Sequence, residues 1–307
     1  NNAWWWGIED TESYWYRSIK LDRQTKESNW EMALKEIRQR INIKQVLNEK
    51  IECKKIAQEQ LIEKAIEYHK QNKIDEASKC YQSFLDEGFQ NPIVLSNYGG
   101  ILQQNREFKK AIKLYEKSIN LFPNYPQAYC NLGNIYRDLG ELHKAELFTR
   151  KAIYLNPEYA IAHSNLANAL QEQGKLKEAE LHVRKAIYLN PDFANAYYNL
   201  GNILKDLGKI KEAEYNLRKA IEIKPKYREA HNNLGTLLEE EERLYEAEEC
   251  LQNAINIEPN FIAALNNLGS VLIKLHKLKD AEESVRKAIS INPNYPDAHY
   301  NLAHILL

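Results

Sequence analysis

From residue 92 onward, apolar positions recur at spacings of three and four, stop for three residues, then recur, and the double pattern returns every 34 residues. In the stretch 126–159, Ala128, Tyr129, Leu132, Gly133 and Tyr136 fall on one stripe of a helix. A break follows at Leu139, Gly140 and Glu141, and Gly140, Gly174 and Gly208 hold the same place in three successive units, where a left-handed residue closes a helix. A second stripe carries Leu142, Ala145, Ala152 and Ile153 and is predicted to end before Asn156 and Pro157, because proline disfavours helical geometry in the residue before it. Each unit therefore reads as two helices, A and B.

Pro123, Pro157, Pro191, Pro225, Pro259 and Pro293 keep the 34-residue spacing without insertion or deletion. Counting these prolines as position 32, position 8 is Gly133, Ala167, Gly201, Gly235, Gly269 or Ala303, and position 20 is Ala145, Ala179, Ala213, Ala247 or Ala281. Small residues at both places are expected to let the two helices of a hairpin approach closely. A hairpin alone leaves one face uncovered, so the next must stack on it. The expected fold is all-α, a right-handed superhelical solenoid whose concave wall is lined by the A helices.

Period, glycine, alanine and proline places together resemble tetratricopeptide repeats over about residues 58–307. Six full repeats cover 92–295, and a partial one covers 296–307. In a degenerate unit at 58–91, Ala65, Tyr68, Ala77 and Tyr81 fit, Phe84 replaces the usual alanine, and Phe89 replaces proline; this unit is expected to cap the array. The last A helix lacks its B partner. The chain is therefore expected to be part of a longer protein and able to self-associate through that uncapped end.

Lys plus Arg (42) nearly balances Asp plus Glu (43), so no global field draws the chain to nucleic acid or an anionic membrane. No apolar run is long enough for a membrane span and no secretory signal is legible, so a cytoplasmic location is expected. Cys53, Cys80, Cys130 and Cys250 form no C-x-x-C pair and read as reduced thiols. His163, His231 and His299 share position 4 but stand 68 residues apart, too far to converge on one metal. Arg150, Arg184, Arg218 and Arg286 each follow a glutamate by four residues (Glu146, Glu180, Glu214, Glu282), an order that favours ion pairs within helix B over a phosphate-binding stripe. With no phosphate loop, nucleophile elbow or metal-spaced acid pair, the expectation is a protein without catalytic residues or cofactor.

The candidate site is polar and periodic. Position 6 is Asn97, Asn131, Asn165, Asn199, Asn233, Asn267 and Asn301. Position 9 adds Asn134, Asn168 and Asn202 before lapsing into Thr236, Ser270 and His304. Position 13 is Asp138, Glu172, Asp206 and Glu240 until Lys274 ends the acidic run. A carboxamide can pair with both the N–H and the C=O of one peptide unit, so a column of them could hold an extended chain by its backbone. The same amides could equally hydrogen-bond within or between neighbouring helices, and the acids could serve only solubility. Both readings stand open. The two columns look like the repeats of O-linked N-acetylglucosamine transferases, a resemblance that implies peptide capture by Asn131, Asn165, Asn199 and Asn233 with Asp138, Glu172, Asp206 and Glu240 beside them. Positions 2 and 5 lack the Lys and Arg of a carboxylate clamp, so the expected partner is a polypeptide with neutral or basic segments.

Before residue 58 the period vanishes, and Trp4, Trp5, Trp6, Trp15 and Trp30 are all the tryptophans present. The aromatic-rich segment 1–41 resembles the closing part of heptosyltransferase-like glycosyltransferase domains fused to bacterial tetratricopeptide arrays, and its alternative is an aromatic cap; 42–57 reads as a helical linker. The expected function is thus a scaffold binding extended polypeptide, with the substrate-recruiting arm of a glycosyltransferase as the alternative.

Overall fold

The computed structural model describes residues Trp30–Leu306, so Trp4, Trp5, Trp6 and Trp15 lie outside the described residues. Fifteen helices and no strand are found among them. None of these helices is long and apolar enough to cross a membrane. The chain divides into two compact units, 1–90 and 91–307.

In the first unit, α1 (Trp30–Lys70) runs unbroken through 42–57 into the degenerate repeat, and α2 (Ile74–Asp86) packs back on it. Ala65, Ala77, Tyr81 and Phe84 are buried there. The two residues that depart from the repeat pattern compensate each other, since the rings of Phe84 and Phe89 meet at 5.2 Å.

The second unit is a solenoid of hairpins. Its A helices are α3 (Pro92–Gln104), α5 (Pro126–Asp138), α7 (Ala160–Glu172), α9 (Ala194–Asp206), α11 (Arg228–Glu240), α13 (Ile262–Lys274) and α15 (Pro296–Leu306). Its B helices are α4 (Phe108–Leu121), α6 (Leu142–Leu155), α8 (Leu176–Leu189), α10 (Ile210–Ile223), α12 (Leu244–Ile257) and α14 (Leu278–Ile291). Every helix packs on its neighbours in sequence, and each A helix also touches the next A helix, from α3 with α5 to α13 with α15. The B helices make no comparable contact with one another. An array whose A helices meet and whose B helices stand apart must curve with the A helices on its inner side.

The turns between A and B close by one mechanism. At the end of α5, Gly140 N–H donates to Arg137 O and Glu141 N–H to Tyr136 O, both at 2.8 Å, which satisfies two carbonyls the helix leaves open. The closing residue must be left-handed, and Gly140, Gly174 and Gly208 take φ of 76°, 75° and 72°. In three other repeats the same place holds Arg106, Glu242 and His276 at φ of 57° to 59°, making the same pair of bonds with a side chain that disfavours that conformation. Between B and the next A, the asparagine before proline fixes the turn: Asn156, Asn190 and Asn292 each accept the N–H two residues ahead through their side-chain oxygen.

Close approach of A and B rests on position 8, but against a different partner from the one expected. A methyl group on Gly235 would stand 2.6 Å from Leu251 Cγ, whereas Ala247 at position 20 offers only its carbonyl at 3.3 Å. Position 24, which opposite a glycine carries Tyr115, Thr149, Leu217, Leu251 or Val285, is what the missing side chain makes room for.

Replacing Glu242 or His276 by Gly is expected to raise the urea midpoint by roughly 1 kcal/mol equivalent, and Gly174→Ala to lower it by a similar amount, because only glycine takes this φ without steric cost.

Candidate functional site

The A helices place all the candidate residues on the inner wall, and the packing gives them an unforeseen register. A residue at one position meets the next-numbered position of the following repeat, 35 residues on. Asn165 Nδ2 donates to Cys130 Sγ at 3.3 Å, Asn199 Nδ2 to Ser164 Oγ at 3.0 Å, and Asn233 Nδ2 to the Tyr198 hydroxyl at 3.0 Å. Asn267 and Asn301 donate in the same way to the side-chain oxygens of Asn232 and Asn266, at 3.0 and 2.9 Å. The ladder is therefore a row of stitches between position 5 and position 6 of successive A helices. Asn97 holds the same place in α3, and Asn131 lies beside the buried Tyr115 hydroxyl, whose pKa burial raises and the amide partly restores. Burial also pushes the Cys130 thiol up to about 12, with Asn165 and Tyr159 opposing, so it serves here as a neutral acceptor.

The acidic column has the same logic. Asp138 accepts from Gln103 Nε2 at 3.0 Å and Asp206 from Gln171 Nε2 at 2.6 Å, while Glu172 faces Arg137 at 3.7 Å and Glu240 faces Lys205 at 2.7 Å. Each is a pair between position 12 of one repeat and position 13 of the next. Lys274 does not interrupt the column: it pairs with Glu239 at 2.9 Å, so the polarity of that rung is exchanged between the two helices. Ser270 joins it by donating to the same carboxylate at 2.7 Å.

Position 9 differs. Asn202 accepts from Asn233 Nδ2 at 2.9 Å, but Asn134 and Asn168, half-buried in the same register, have no hydrogen-bond partner among the described residues. The position-6 amides other than Asn233 also keep spare capacity, because Asn165, Asn199, Asn267 and Asn301 use only the amide nitrogen.

On the B helices the arginines do pair with the preceding glutamates, as at Arg150–Glu146 and Arg184–Glu180, both at 2.8 Å. They also reach across to the next repeat. Glu146 accepts from Lys175, and Arg150 and Arg184 bond Glu178 and Glu212. Burial alone would raise the Glu146 pKa, yet Lys175, Arg150 and Gln173 together hold it at about 2. The position-4 histidines bind turns: His163, His231 and His299 lie 3.0, 3.0 and 2.8 Å from the carbonyls of Pro157, Pro225 and Pro293. His163 has a second contact, Nδ1 to Nδ1 of His182 at 3.1 Å.

This wall and its stacked hairpins define a repeat scaffold. Models of the tetratricopeptide repeat match residues 62–129, 126–159, 160–193, 194–227, 229–261 and 262–295, and the chain belongs to that family. Among solved structures, it superposes on the APC/C hetero-tetramer Cut9–Hcn1 with a TM-score of 0.66 at 14% identity, over 81% of this chain and 46% of that one, so the chain spans less than half of that relative. PilF of Pseudomonas aeruginosa gives 0.61 at 17% identity, over 69% of this chain and 97% of that one. A tetratricopeptide repeat protein of Parabacteroides merdae gives 0.60 at 17%, over 81% and 99%. These likenesses establish the fold. No curated protein matches the chain in sequence.

Asn199→Ala leaves the Ser164 hydroxyl, only 2% exposed, without its donor, and is expected to cost about 1 kcal/mol in urea unfolding. Glu239→Lys is expected to cost a few tenths of a kcal/mol, and adding Lys274→Glu to recover most of it, because the rung then regains opposite charges. Burial holds His163 and His182 below the ordinary imidazole range, with the neighbouring Lys185 acting on His163 in the same sense and His163 and Arg150 on His182, against an opposing bond from Pro157 O and the charge of Glu178. Their contribution is complete above about pH 6.5 and is lost as pH falls from there through the lower folded-state values. Unfolding at stepped pH should show this loss, and it should shrink in His182→Phe.

Proposed function

We propose that the inner wall binds an extended polypeptide, with its centre in the repeats 126–193. Asn134 and Asn168 carry the reading. They are half-buried amides with full donor and acceptor capacity, one repeat apart, on a wall where Asn165, Asn199, Asn233, Asn267 and Asn301 are already positioned by their stitches. A carboxamide in that state can take the N–H and C=O of a bound peptide unit, and the free oxygens of Asn165 and Asn199 extend the track. Each bond contributes about 0.5–1.5 kcal/mol, so affinity depends on several forming in register. Glu172, whose one ion-pair partner among the described residues is Arg137 at 3.7 Å, biases the wall toward neutral or basic segments. That bias weakens as salt screens it.

A fluorescently labelled decapeptide of lysine and serine supplies the test. Changing Asn134 and Asn168 together to Ala is expected to weaken its binding at least five-fold with an unchanged melting temperature. The Asn165→Ala, Asn199→Ala pair should instead lower the melting temperature. Undiminished binding by the first double variant would place the peptide elsewhere.

A further inference from the structure

Because successive B helices stand apart, furrows open between them on the outer side, each floored by the A helix that lies between. The furrow between α8 and α10 measures about 590 Å³. Leu200 of α9 lies in its floor beside Ile187 of α8, and three tyrosines line it: Tyr188 from α8, Tyr197 from α9 and Tyr215 from α10. Tyr188 and Tyr215 are 77% and 66% exposed, and none of the three hydroxyls has a hydrogen-bond partner among the described residues. The next furrow, between α10 and α12, is built on the same frame, with Ile221 and Leu234 in place of Ile187 and Leu200. There Glu222 and Glu249 stand where Tyr188 and Tyr215 stood, and the volume falls to about 350 Å³. The repeat architecture thus produces the furrow, and its side chains make this one aromatic where the next is acidic. In the preceding repeats Leu147, Tyr154 and Leu181 occupy the same two columns, all exposed, so the apolar strip continues toward α6. A contiguous exposed patch of that kind, rimmed by charge, marks an interaction surface.

The charge left over beside it has one sign. Arg150 and Arg184 are matched to glutamates. Lys151 and Lys185 lie over the rings of Tyr154 and Tyr188, each 4.8 Å from the centroid, and Lys211 stands at the lip of the furrow. None of these three lysines has a carboxylate in ion-pair range among the described residues. Unmatched ammonium groups beside exposed aromatic faces and free phenol donors are complementary to carboxylates flanking an apolar side chain.

We propose that the α8–α10 furrow is a second binding site, for an acidic polypeptide segment whose aromatic or leucine side chain seats between Tyr188 and Tyr215. Its carboxylates meet Lys185 and Lys211 and accept from the tyrosine hydroxyls. The site is independent of the inner wall in both location and charge preference.

The test is fluorescence anisotropy at low salt with a labelled decapeptide of glutamate around one tryptophan, its lysine counterpart, and a glutamate peptide without tryptophan, using the Asn134→Ala, Asn168→Ala protein to silence the inner wall. The glutamate–tryptophan peptide is expected to bind at least ten-fold more tightly than either other peptide. Tyr188→Ser with Tyr215→Ser should reduce that affinity at least five-fold, and Lys185→Glu with Lys211→Glu should reverse the preference toward the lysine peptide. Equal binding of acidic and basic peptides, binding unaffected by the tyrosine changes, or capture of phosphatidylserine vesicles with no peptide binding would each overturn the proposal.

Discussion

The inner wall is organised by a one-step offset between successive A helices. Position 5 meets position 6, and position 12 meets position 13, always 35 residues apart along the chain. The offset can persist only because the repeat length never varies and because position 8 keeps each hairpin equally tight, as at Gly235 against Leu251. One residue inserted within an A helix would displace that repeat's polar groups from their partners in the adjacent repeats, leaving half-buried amides unpaired. The same geometry sets the outer side. Holding the A helices in contact spreads the B helices, which opens the furrows and obliges the ion pairs to reach across them.

The asparagine column carries its structural task without exhausting its chemistry. A carboxamide needs one N–H to reach the previous repeat, which leaves a second N–H and an oxygen directed by a side chain that is already immobilised. Groups fixed before a ligand arrives lose less conformational freedom on binding. Stitching and peptide recognition are therefore compatible on one residue, and position 9 separates them, since Asn202 is drawn into the stitching while Asn134 and Asn168 are not.

The helix boundaries, the left-handed closing glycines and the small position 8 were all legible in the sequence, because each depends on spacing within a single hairpin. What lies between hairpins was not. Lys274 reads as the end of an acidic run until the offset places Glu239 opposite it, and only the packed helices supply that offset. The spacing of Gly235 and Ala247 pointed to position 20 as the tight contact, but the side chain that blocks a methyl group comes from Leu251, one helical turn on. The tyrosine furrow left a signal that periodicity arguments pass over: Leu181, Tyr188 and Tyr215 are large apolar residues on the outward stripe of helix B, where Lys113, Asn120, Glu222, Glu249, Asn256 and Glu283 stand in other repeats.

The exchanged rung between Glu239 and Lys274 has a consequence for the array as an inherited object. Removing the whole repeat 228–261 would preserve the period, the closing turns and every hairpin, yet it would set Lys274 against Lys205 instead of Glu239. Repeats that look interchangeable in outline are thus ordered by the polarity of their junctions. Loss or shuffling of a unit during recombination would be registered at the seam, as like charges facing each other, while the units themselves remain intact.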